Sequence, residues 1–159
     1  QTITLVPASF YSATLFDYMT TYMNVSDDTA AGKSLFQAQV TRAKKLIESI
    51  DALAEHKLGF VVIDEIFTGT NAKSASQAAY KLAKHIADVP SVCFVLATHF
   101  VDELSALEQD TQGICKNYNV DANKDEQGQI AFTYQLRPGR STQNIASDIL
   151  NQEFETIDF

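Results

Sequence analysis

Phe60-Val61-Val62-Ile63-Asp64-Glu65 is the stretch that decides the fold. Four consecutive apolar residues stop abruptly at two carboxylates. A run that is apolar throughout, rather than alternating, suits a fully buried strand of a parallel sheet. Val92-Cys93-Phe94-Val95-Leu96-Ala97 has the same character and stops at Thr98-His99, which makes it a second buried strand. Between the two, Ala75, Ala78, Ala79, Leu82, Ala83 and Ile86 recur at spacings of three and four. They define the inner face of a helix over residues 74–87, ended by Asp88-Val89-Pro90. Strand, helix, strand is the right-handed βαβ unit of an α/β fold.

Upstream, Phe36, Val40, Ala43, Ile47, Ile50 and Ala54 mark an amphipathic helix with Arg42, Lys44, Lys45 and Glu48 on its outer face. A polar loop over residues 24–32 precedes it. Residues 2–6 alternate and stop at Pro7, as a short strand does. Residues 10–22, aromatic and β-branched, read as a strand followed by a short turn of helix. Downstream, a short helix is expected over 101–108 and a final helix over 141–150. Between them, 115–120 and 130–136 have strand character, and the polar stretch 121–129 makes them an antiparallel hairpin. The expectation is an α/β fold in one domain, 1–159: a largely parallel sheet flanked by helices, with a carboxyl-terminal antiparallel hairpin.

A length of 159 residues is enough for one sizeable core, and 45% hydrophobic with 20% charged residues is ordinary globular composition. The formal net charge of -8 argues against a surface that grips phosphate backbones itself, which needs a basic stripe. The apolar runs are too short to span a bilayer, and no basic segment leads into an apolar one as in a signal peptide. A cytoplasmic protein with no membrane partner is therefore expected. Cys93 and Cys115 show no CxxC or Cys/His spacing; a pairing is open, and two reduced core or half-buried thiols are the plainer reading. A chain that begins with Gln1 is expected to be a piece of something longer or a processed product.

The chemistry lies at the strand ends. An acidic pair there fits a nucleotide hydrolase, where one carboxylate organises Mg²⁺ and its neighbour orients the attacking water. Many strands also finish on an acidic turn for no such reason. His99, ending the adjacent strand, should emerge at the same sheet edge, where α/β folds bind ligands. A loop His is often just solvated; beside a carboxylate pair it is equally a group placed to sense a γ-phosphate. Gly32-Lys33-Ser34 imitates the end of a phosphate loop, but Asp27 stands where the first glycine of GxxxxGK[ST] belongs. It reads as a helix start, or as the same helix start offering amides and a hydroxyl to an anion, including one held by a neighbouring subunit. Gly69-Thr70-Asn71 is a turn that would lie beside Glu65.

Taken in order, Val6-Pro7-Ala8, Asp27-Asp28-Thr29-Ala30-Ala31-Gly32-Lys33-Ser34-Leu35-Phe36, Val62-Ile63-Asp64-Glu65-Ile66-Phe67-Thr68-Gly69-Thr70-Asn71 and Ala97-Thr98-His99-Phe100 are similar to a known set. They resemble the signature, Walker B, D-loop and His switch in the carboxyl-terminal half of the ATPase domain of MutS-family DNA mismatch-repair proteins. The likeness runs over residues 5–150.

The resemblance implies a P-loop NTPase fold of the ABC type, with ATP and Mg²⁺ held at a composite site between two copies. It gives Asp64 to Mg²⁺ through water, Glu65 to the attacking water, and His99 to the γ-phosphate or that water. Ser34 and the amides near Gly32 would reach the γ-phosphate of the opposite subunit's nucleotide. Thr70 and Asn71 would form the D-loop touching that partner. DNA would be held by other domains of a homodimeric parent. The family's Walker A loop is expected before Gln1, so this chain alone is expected to be inactive. The family's usual Ser-Thr pair is Ser34-Leu35 here, and Thr68 replaces the usual D-loop arginine. Two other readings stand beside this one: a non-catalytic interaction module of ABC-like shape, and an ABC-type ATPase of the chromosome-maintenance kind. The latter is the poorer match, because its signature is richer in glycine than Ala30-Ala31-Gly32-Lys33.

Overall fold

The computed structural model describes residues 9–23, 34–124, 130–143 and 150. The chain divides into two compact units, Gln1–Leu104 and Ser105–Phe159. Among the described residues, no helix is long and apolar enough to cross a membrane.

The first unit is built on parallel strands β1 (Tyr18–Tyr22), β2 (Gly59–Asp64) and β3 (Val92–Ala97), in the order β1-β2-β3. Helix α1 (Leu35–Asp51) connects the first pair and α2 (Ala72–Ala87) the second; α2 packs on β3 and α1 lies against α2. Each helix starts on a side-chain cap, the usual remedy for free amides at a first turn. Ser34 Oγ accepts from the Gln37 amide while the Gln37 side chain accepts from the Ser34 amide, a capping box. Asn71 Oδ1 accepts from the Ser74 amide. The core lies between helices and sheet: Val61 and Ile63 from β2, Leu46 and Ile50 from α1, and Ala79, Leu82 and Ile86 from α2 are all buried.

Both segments form strands where expected and β2 is central, but neither is fully buried: in β2, Phe60 and Val62 are half-buried. In β3, Cys93, Val95 and Ala97 are exposed, because alternate residues share one face of the sheet and that face has no cover over β3 among the described residues. The reading of residues 92–97 as a fully buried strand is corrected accordingly, and Cys93 is an exposed free thiol rather than a core one. Residues 10–22 are also reordered: the strand comes last, and no helical turn occurs in 9–23. Pairing decides this, since Tyr18–Tyr22 runs beside β2 from Gly59 to Ile63, and the Asp17 and Tyr18 amides both donate to the Leu58 carbonyl.

The inner face of α1 is Gln39, Ala43, Leu46 and Ile50; Val40 is exposed, and Ala54 lies beyond the helix end. Arg42, expected on the outer face, is half-buried and donates to the Thr21 and Met23 carbonyls with its guanidinium over the Tyr22 ring. The helix expected over 101–108 is two short ones, α3 (Val101–Ser105) and α4 (Leu107–Asp110).

In the second unit, β4 (Tyr118–Lys124) and β5 (Ile130–Pro138) form the expected antiparallel hairpin. β4 begins three residues later than expected, at Tyr118 rather than Cys115, because Thr111 Oγ1 accepts the Cys115 amide and Glu108 the Asn117 amide, diverting them from a ladder. The register shifts between Val120 and Ala122, where Tyr134 sits at φ +54° on the bulged strand. Residues 141–143 are not helical. The rest of the helix expected over 141–150, Leu150 apart, and the strand expected over 2–6 lie outside the described residues.

Candidate functional site

In the β2–β3 register, Asp64 stands opposite Ala97, and the ladder runs one bond further as the Glu65 amide donates to the Ala97 carbonyl at 3.1 Å. The two strands therefore finish level, and the residues that follow them emerge at one edge. Glu65 Oε1 lies 3.6 Å from His99 Nδ1, with both side chains 59% exposed. His99 thus emerges at the same sheet edge as Asp64 and Glu65, as expected, and faces Glu65 there. His99 is presented by a tight turn in which the Phe100 amide donates to Thr98 Oγ1 at 3.0 Å, and its ring lies 4.3 Å from that of buried Phe100. Asp64 is half-buried at the strand end.

The backbone beyond β2 is strained. Glu65 has φ +46° and Phe67 φ +61°, left-handed conformations that cost non-glycine residues on the order of 1–3 kcal/mol each. They persist because the segment is held from several sides. Ile66 and Phe67 are buried, and the Phe67 ring meets Phe36 of α1 edge-on with centroids 6.2 Å apart. Gln39 of α1 donates from Nε2 to Thr68 Oγ1 at 3.0 Å and accepts the Gly69 amide at Oε1 at 3.2 Å. Gly69 passes so close to the start of α1 that a Cβ there would lie 2.9 Å from the Phe36 backbone nitrogen.

Two groups of expected site residues result. Asp64, Glu65 and His99 share the sheet edge. Thr70 and Asn71 follow Gly69, which lies against the start of α1, next to Ser34. Asn71 is committed to capping α2 and Ser34 to capping α1, although the Ser34 side chain stays exposed. Among the described residues, no hydrogen bond or ion pair joins Glu65 or His99 to Ser34, Thr70 or Asn71. Gly32 lies outside the described residues. Sequence reasoning missed Gln39; its only signal was a polar residue one position before Val40, where either could have faced inward.

The oxygen-rich, solvent-open edge suits a hard cation such as Mg²⁺, which binds few carboxylates and keeps its waters. Among the described residues, no group of three or more His, Cys, Asp or Glu could hold a metal ion.

Fold and site thus define a mixed α/β protein whose parallel strands deliver two carboxylates and an imidazole to one edge. The chain belongs to the MutS domain V family, whose model matches residues 1–151. It is 30% identical over 134 residues to the DNA mismatch repair protein MutS of Streptococcus sanguinis (strain SK36), covering 84% of this chain and 15% of that protein. The MutS protein of Lactobacillus helveticus (strain DPC 4571) is 28% identical over 144 residues, 91% of this chain and 16% of the relative. That of Chloroflexus aurantiacus (strain ATCC 29366) is 30% identical over 136 residues, 84% and 13% respectively. The chain thus spans about 15% of the length of the curated relatives it matches.

Proposed function

We propose that this chain is the carboxyl-terminal portion of a P-loop ATPase domain of the ABC type, in a MutS-like protein that acts in DNA mismatch repair. ATP is hydrolysed at composite sites formed when two such domains dimerise. The observation that carries this is the Glu65–His99 pair, 3.6 Å apart, beside Asp64 at the level ends of two parallel strands. Packing does not require three ionisable groups at one exposed edge.

Mg²⁺ bound with ATP neutralises charge on the phosphates. Asp64 would be the residue that holds that ion. Glu65 accepts a hydrogen bond from the attacking water and orients it. His99 is within reach of the same water or of the γ-phosphate. At the start of α1, Ser34 and the amides around Gly32 serve the nucleotide of the partner subunit, with Thr70 and Asn71 forming the contact between subunits. DNA binding belongs to other parts of the parent, in keeping with the -8 charge.

The test is steady-state ATP turnover by the full-length protein that contains this chain, against its Glu65→Ala variant. Turnover should fall by roughly two orders of magnitude or more while Mg-ATP binding by calorimetry survives. Unchanged turnover would sink the role given to Glu65. Absence of both binding and turnover in the wild type would favour a non-catalytic interaction module.

A further inference from the structure

We propose that Gln39 is a positioning residue for this site: it fixes the segment after β2 onto α1 and thereby sets where the Glu65 carboxylate stands relative to His99. The inference rests on the ATPase reading above. Gln39 is 2% exposed, and a buried primary amide is unfavourable unless both its ends are satisfied. An aliphatic residue would pack there without that demand. Both ends of this amide are spent on the same short segment, on Thr68 Oγ1 and on the Gly69 amide. The orientation is dictated, because the Gly69 N–H only donates and must face the carbonyl oxygen. The backbone carbonyl of Gln39 also accepts the Tyr22 hydroxyl at 3.0 Å, which ties this turn of α1 to the end of β1. The clamp therefore stands on a fixed base.

Its target is the strained segment. With Glu65 and Phe67 both at positive φ, the chain between them relaxes unless its far end is held. Gln39 holds that far end by two directed bonds, whereas the Phe36–Phe67 ring contact allows sliding. Release of Thr68 and Gly69 lets Glu65 return toward an ordinary conformation and carries its carboxylate away from His99. Gln39 itself reaches neither water nor phosphate in this scheme.

Three variants of the full-length protein decide it: Gln39→Leu, which keeps the bulk and removes both bonds; Gln39→Glu, whose carboxylate accepts from the Gly69 amide and the Thr68 hydroxyl; and Thr68→Val. Gln39→Leu should lower kcat roughly ten- to a hundredfold, the scale of a slightly misplaced catalytic group, with KM for ATP little changed. Gln39→Glu should recover most of kcat, and Thr68→Val should show a smaller drop in kcat alone. If Glu65→Ala abolishes turnover while Gln39→Leu and Thr68→Val keep wild-type kcat, the positioning role is overturned and the ATPase reading stands. A fall in KM and kcat together, unrelieved by Gln39→Glu, also overturns it. If Glu65→Ala retains full turnover, the role given to Glu65 fails, and with it the positioning role of Gln39; if the wild type neither binds nor hydrolyses ATP, the ATPase reading itself fails. Should Gln39→Leu not fold, the pair Gln39→Glu and Thr68→Val carries the decision.

Discussion

Tyr22 shows how much one side chain settles. Its hydroxyl donates to the Gln39 carbonyl, its ring lies 5.2 Å from the Arg42 guanidinium carbon, and it is 1% exposed. Burial pushes its phenol up to about 12, with Arg42 pulling weakly the other way. In the unfolded chain the same group ionises near 10.0. Its contribution to stability is therefore complete below that value and is lost as pH rises from there toward 12. Tyr22→Phe should cost about 1 kcal/mol at neutral pH, the usual net worth of such a bond. Its deficit relative to wild type should then narrow above pH 10, and urea midpoints measured across that range check the sign. A gap that stays constant contradicts the assignment. Asp64, Glu65 and His99 were legible from sequence because a strand end fixes which edge a residue leaves by. Gln39 was not, because a polar residue on an amphipathic helix defaults to the outside until its partners, here Thr68 and Gly69, are known.

At the scale of elements, the central strand and the outer strand have nearly the same composition and opposite tolerances. Ile63 of β2 is 1% exposed and meets the packed helices, so Ile63→Ala should cost roughly 2–5 kcal/mol through lost burial and a cavity. Val95 of β3 is 53% exposed, and Val95→Thr should change stability by no more than about 0.5 kcal/mol. Chemical denaturation of this chain compares the two directly; equal losses would show that the outer face of β3 is covered. The bounds of β3 follow from its apolar run, but its exposure depends on what packs on each face of the sheet. The face of α1 shifted for a related reason: apolar spacing selected Val40, while hydrogen bonding drew the neighbouring Gln39 inward.

For the whole molecule, acid stability draws on both units. Asp17, in the first, accepts from the Leu58 amide and pairs with Lys57, and these hold its carboxyl below the ordinary range. Glu108, in the second, accepts from the Asn117 amide and side chain and from Lys116, with the same effect. Both groups add stability that is present above their ordinary values of 3.8 and 4.5 and disappears as pH falls through the lower folded ones. Glu108→Gln should thus be less stable than wild type at pH 7 and approach it below pH 4.5, read from urea midpoints. A deficit that persists unchanged in acid would mean that the charge is not what Asn117 and Lys116 recognise.

The sequence by itself determined the βαβ core, the carboxyl-terminal hairpin, the family, and the edge at which Asp64, Glu65 and His99 gather, since each depends on local periodicity or on the order of motifs along the chain. Tertiary structure alone decided that Tyr18–Tyr22 is the paired strand, that β3 is open on one side, and that Gln39 reaches across to Thr68 and Gly69. These are properties of pairs of segments far apart in the chain. The free energy that fixes them comes from burial and hydrogen bonds that exist only once both partners are in place.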